Sequence, residues 1–181
     1  PKGHGFNQSD ARAGIAYYSF EPKSDVPIIV IVLDNTQSAT DANAGGYGHG
    51  SLDNRQYDWL VSELDRGQTE GKLMIIAAHI PIGVEESGSS LDEYTAWSQV
   101  AEVSEQQLLD KLHEYPNLIL WIAGHRHLNT ITPQVSPNPD HPELGFWEVE
   151  TSSLRDFPQQ FRTFDIVRNT DNTVSIFTTN V

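Results

Sequence analysis

Cysteine is absent from the 181 residues, which excludes disulfides and any thiolate metal site. Basic residues are scarce: 11 Lys and Arg stand against 25 Asp and Glu, a net charge of -14. Binding to a phosphate backbone or an anionic membrane needs clustered Lys and Arg, so no nucleic-acid surface is expected. Solubility alone accounts for an acidic exterior. Long hydrophobic runs are missing too. The longest, Ile28 to Leu33, has the length of a core strand and falls well short of the ~18 residues of a membrane span. No internal repeat or low-complexity tract occurs. No Gly-x-Ser-x-Gly turn occurs either, which removes the usual nucleophile elbow of a serine hydrolase. The chain opens Pro1-Lys2-Gly3 with neither a Met nor a signal peptide, so its true N-terminus is expected elsewhere.

What is present reads as alternating strands and helices. Ala13 to Phe20 is strand-like, and the β-branched run from Ile28 to Leu33 fits a strand buried on both faces. Residues 36–50 are rich in Gly, Ala, Ser and Thr and read as a long loop. A helix is expected from about Asp53 to Arg66, with Tyr57, Leu60 and Leu64 at helical spacing and Gly67 as its C-cap. Leu73 to Ala78 is the next strand, and a polar insertion at 83–101 follows. Ser104 opens a capping box for a helix that presents Leu108, Leu109 and Leu112 and stops at Pro116. Leu118 to Ala123 is a third apolar strand. Pro133, Pro137, Pro139 and Pro142 mark a loop. Phe146 to Thr151, Phe161 to Arg168 and Thr173 to Thr179 alternate as strands, with a turn at 169–172.

The apolar strands share a way of ending. Each stops on a polar or metal-capable residue: Asp34 after the first, His79 after the second, His125 and His127 after the third. Ligands of α/β sheets gather beyond the carboxyl ends of the strands, so these residues can converge on one edge. In His125-Arg126-His127 the histidines are two apart, which sets them on one side of an extended chain, and Gly124 permits an unusual turn before them. A lone strand-end histidine before Pro is usually a loop residue. The combination is what points to a metal.

His79-Ile80-Pro81 after one strand, and Gly124-His125-Arg126-His127 after the next, resemble the last two blocks of the calcineurin-like metallophosphoesterase superfamily. Gln56-Tyr57-Asp58-Trp59-Leu60 resembles that family's intervening helix. Glu150-Thr151-Ser152-Ser153 with Asp156-Phe157-Pro158 is similar to the segment closing its sandwich. The resemblance covers roughly residues 26–168. It implies an α/β (α+β) fold: the C-terminal part of a four-layer α/β/β/α sandwich, a mixed sheet with helices on one face. Residues 1–181 would be the C-terminal part of a single domain.

The resemblance further implies a hydrolase that cleaves phosphate mono- or diesters with a water activated between two divalent ions, Mn, Fe or Zn. His79 and His125 would bind one ion and His127 the other. The family's Asp-x-His, Gly-Asp-x-x-Asp and Gly-Asn-His-Asp/Glu blocks do not occur here. They would supply the bridging carboxylate, the remaining ligands and a leaving-group histidine, so this chain alone is expected to be inactive. His49, Arg126 and Asp34 are candidates for the substrate side. His113 is expected to face solvent from its helix, and His141 to lie in a loop. Loss of the domain's first half would leave an apolar face through which copies could associate. The competing reading is a non-catalytic β-rich binding module with incidental histidines, which would lie apart or point inward.

Overall fold

In the computed structural model, residues 12–36, 49–82, 97–98 and 100–181 are described. The expected loop at 36–50 and insertion at 83–101 fall largely outside them.

The elements in chain order are β1 (Tyr18–Phe20), β2 (Ile28–Val32), helix α1 (Asn54–Thr69), β3 (Leu73–Ala77), helix α2 (Glu105–Leu112) and β4 (Leu118–Ala123). After these come β5 (Thr130–Gln134), a 3-10 turn (Pro142–Leu144), β6 (Phe146–Glu150), β7 (Arg162–Arg168) and β8 (Val174–Asn180). Strands β1 to β6 form one six-stranded sheet in the order β1-β2-β3-β4-β6-β5. The inner strands β2, β3, β4 and β6 run parallel, and the edge strands β1 and β5 run antiparallel to their neighbours.

The β2 and β3 runs step one strand sideways each time, in the same direction. Right-handed crossovers then place both connecting helices on the same face. Leu60 and Leu64 of α1 and Leu108 and Leu112 of α2 pack there on Ile29, Ile31, Met74, Ile76 and Trp121. All of these side chains are buried. Asp53 caps α1, its carboxylate accepting from Gln56 N, and Ser104 caps α2, its hydroxyl accepting from Gln107 N. On the opposite face, Phe164, Ile166 and Ile176 of the β7–β8 hairpin cover Ile75, Leu120 and Val149. Helices, main sheet and hairpin therefore stack as layers, with the main sheet between.

Several expectations need correction. Only Tyr18–Phe20 of the Ala13–Phe20 stretch is a strand. Helix α1 runs through Gly67 to Thr69. Gly67 is buried inside it, where a Cβ would collide with Met74 Sδ, so this glycine permits close helix–sheet contact instead of ending the helix. The left-handed residue beyond the helix is Gly71, at φ 65°. Pro133, expected in a loop, sits in β5 opposite Trp147. An edge strand tolerates proline because its missing N–H can face away from the ladder. His113 is half-buried at the end of α2 rather than solvent-facing. Its Nδ1 lies 2.8 Å from Leu144 O, and its ring packs on Phe146.

Candidate metal centre

The parallel pairing lines up the carboxyl ends of β2, β3, β4 and β6 on one edge. Backbone bonds lace this edge beyond the strands. Leu33 N donates to Ala77 O, Ala78 N to Ile122 O, Gly124 N to His79 O, and Thr151 N to Ala123 O. The segments carrying His79 and His125 are thus held side by side before any side chain is considered. The rings meet there: His125 Nδ1 lies 3.0 Å from His79 Nε2, and the ring centroids are 4.8 Å apart, edge to face.

Buried polar side chains fix the backbone on either side. Asn35 follows β2 and is fully buried. Its Oδ1 accepts from His79 N and Ile80 N, and its Nδ2 donates to Ile80 O at 2.7 Å. One amide group therefore sets the turn that presents His79. Farther along the same turn, Ile82 N donates to Glu148 Oε1 at 2.6 Å, and Gln134 Nε2 donates to Glu148 Oε2 at 2.8 Å. Glu150, also fully buried, receives Arg126 through the backbone N and the guanidinium, with Arg126 Nη2 to Glu150 Oε2 at 2.7 Å. A buried pair of this kind is costly to break, about 3–5 kcal/mol, because the survivor is an uncompensated charge.

Arg126 therefore anchors the middle of the His125-Arg126-His127 segment inside the protein. The segment is not extended. His125 has φ 75° and His127 φ 57°, both left-handed, a conformation that non-glycine residues hold only where their surroundings enforce it. The unusual backbone falls on the histidines and not on Gly124. His125 turns to His79, while His127 turns to Asp156, with Nδ1 2.6 Å from Asp156 Oδ2 and both side chains about half exposed.

The other candidates lie around the same edge. Asp34 is half-buried; its backbone N and O exchange hydrogen bonds with the Gln56 amide, and its Oδ1 accepts from Thr36 Oγ1. His49 is half-buried and precedes Gly50, which bridges to Thr36 and Trp97. A cavity of about 460 Å³ opens at the start of α1, lined by Asp34, Asp53, Arg55 and Glu102 among others, and none of the three histidines lines it.

A divalent ion fits the His79–His125 pair by donor chemistry. Neutral imidazole offers a bare nitrogen to Zn, Fe or Mn. The two ring nitrogens stand 3.0 Å apart, the separation of a hydrogen bond from one ring to the other, so an ion would take the place of the proton they share. Among the described residues, no three His, Asp or Glu side chains form a group able to hold an ion.

Asn35, Glu148 and Glu150 escaped the sequence reading as positioning groups. Their signal was present: two glutamates alternate within the apolar strand Phe146–Glu150, and fully buried carboxylates are rare unless paired. Nothing in the sequence marks Asn35 apart from its place at a strand end.

No protein-family model matches the sequence, and no curated protein sequence matches it. Among solved structures, a dimetal phosphatase from Danio rerio is similar, with a TM-score of 0.55 and 14% identity over 78% of this chain and 50% of the phosphatase chain. The chain spans about half the length of that phosphatase. It has a metallophosphoesterase-like mixed α/β fold.

Proposed function

We propose that this chain carries part of the site of a metal-dependent phosphoesterase, with His79 and His125 as ligands of one divalent ion and His127 as a ligand of a second. The observation that carries this reading is the approach of His79 Nε2 to His125 Nδ1, at 3.0 Å, on the edge where parallel strands end. The likeness in fold to a dimetal phosphatase supports it. An ion pair at such a site supplies Lewis acidity and an activated water for attack on a phosphate mono- or diester. The chain's own contribution is to orient imidazoles. Asn35 sets the backbone at His79, and Glu150, through Arg126, sets the backbone between His125 and His127.

The remaining ligands, a bridging carboxylate and a leaving-group histidine belong to residues outside this chain in our reading, which makes 1–181 part of a single domain. Phosphoester is the substrate class. Asp34 and His49 line its approach. A second copy of the chain is the partner we assign to the outer face of the hairpin, where Phe177 is 60% exposed and Val167, Phe161 and Val181 are exposed as well.

The test is a Zn titration of the 15N-labelled chain followed at the histidine rings. The two rings of the pair should respond together, at one metal concentration, and His125→Ala should abolish the response of His79. Independent responses, or none, would remove the reading in favour of a binding module whose histidines meet by accident.

A further inference from the structure

We infer that Arg162 holds a phosphoryl oxygen of the substrate on the His127 side of the site. This deepens the reading above and rests on it. Arginine suits phosphate because its planar fork offers five N–H donors and a fixed positive charge. Arg162 opens β7, and two of its nitrogens are engaged: Nη1 donates to Thr178 Oγ1 at 3.1 Å and Nη2 to Asn129 Oδ1 at 3.0 Å. Its Nε is buried and meets no acceptor. Arg66 is met by Glu63 and Arg126 by Glu150, but among the described residues no carboxylate meets Arg162. Burial therefore acts on its charge without an offset and pushes its pKa below the ordinary value. In a chain of net charge -14, a half-buried cation without a counter-charge is an exception. A charge drawn out of water in this way costs free energy until an anion meets it.

Its anchor places this guanidinium at the metal edge. Asn129 stands two residues beyond His127, no more than about 7 Å along a fully extended chain. Asn129 Oδ1 accepts from Ser152 N at 3.2 Å as well as from Arg162, and its Nδ2 donates to Gln160 Oε1 at 2.7 Å. One side chain thus ties the start of the hairpin and the end of β6 to the stretch after His127. A second orphan lies in the same region. One residue past the last ladder pair of β5 and β6, Thr130 with Glu150, come Asn129 and Thr151. Thr151 N donates to Ala123 O, two residues before His125, and Thr151 Oγ1 is buried without a partner. Three buried side-chain polar atoms lack a partner among the described residues. One is Trp121 Nε1, inside the core; the other two are these. A hydroxyl and a guanidinium both donate. Donors left without acceptors at this edge match the oxygens of a phosphate, for which charge-assisted bonds from arginine are strong.

The experiment titrates the 15N-labelled chain with inorganic phosphate in the presence of a chelator, with chloride at matched ionic strength as the control. The Nε–H signal of Arg162 is read against that of Arg168, which lies exposed at the other end of β7. Arg162 should respond at a phosphate concentration about tenfold or more below that which moves Arg168, and chloride should move neither. Arg162→Lys keeps the charge and loses the fork, so the accompanying shift of the Asn129 side-chain amide should disappear. Equal responses of Arg162 and Arg168, or chloride acting as phosphate does, overturn the proposal, because screening alone is then at work. The second arm uses the full-length protein supplied with Mn. Arg162→Lys should raise KM for an aryl phosphate by about tenfold and change kcat less. An unchanged KM also overturns it. If the full-length protein hydrolyses no phosphoester with Mn, the phosphoesterase reading itself fails. The two failures are separable because the phosphate titration contains no metal.

Discussion

Asn35 commits its whole amide to the turn that carries His79, although it touches neither imidazole. Replacing it by Ala would leave the N–H groups of His79 and Ile80 and the carbonyl of Ile80 without their partner, in a place closed to water. Each buried polar group so abandoned costs about 1–3 kcal/mol. Asn35→Ala should therefore lower the urea midpoint clearly and weaken Zn binding at the His79–His125 pair by about tenfold, read in the same titration. Unaltered metal affinity in a destabilised but folded variant would mean that the turn orients nothing. At the ligands themselves the expectation differs. His125→Ala should abolish joint metal binding and leave the fold nearly intact, since His125 makes its ring contact with another exposed-edge histidine. His113→Ala should behave in the opposite way: the ring packs on Phe146 and meets Leu144 O, so stability falls while metal binding stays.

At the scale of the elements, the parallel strands were legible because apolar, β-branched runs leave little else for a chain to do. The strands expected at 28–33, 73–78 and 118–123 are β2 (Ile28–Val32), β3 (Leu73–Ala77) and β4 (Leu118–Ala123), adjacent and in order. The capping residue Ser104 announced the start of the second helix, and the first was expected from about Asp53, which caps it. The helix end did not announce itself. Gly67 looks like a stop in one dimension, and only the closeness of Met74 shows why a glycine sits there. Strand β5 was hidden by Pro133, which an edge position excuses. The meeting of His79 and His125 could be expected from their shared place at strand ends. The left-handed backbone at His125 and His127, and the divergence of His127 toward Asp156, depend on a buried Arg126–Glu150 pair that local sequence does not reveal. Two mutations test these elements. Gly67→Ala should cost about 1–3 kcal/mol despite its better helix propensity, because the added methyl displaces the buried Met74 side chain. Glu150→Ala should cost about 3–5 kcal/mol by stranding Arg126. Thermal or urea unfolding reads both, and a stabilised Gly67→Ala protein would show that Met74 has room to move.

For the whole molecule, the function proposed above carries the expectation that this chain holds only some of the ligands of a shared site. Alone, it should bind metal weakly, because a catalytic ion ordinarily takes three or more protein ligands. It should also self-associate at micromolar concentration. Sedimentation velocity would detect this, and Phe177→Glu on the outer hairpin face should shift the chain toward monomer.

The central claim is that these histidines serve phosphoester hydrolysis, and one assay meets it directly. The full-length protein containing this chain should hydrolyse an aryl phosphate with Mn supplied. It should lose that activity on chelation and regain it on adding Mn back. His125→Ala should lower turnover by at least about a hundredfold, since losing a ligand removes charge stabilisation worth several kcal/mol. Equal turnover of His125→Ala and wild type, or hydrolysis indifferent to chelation, would contradict the account.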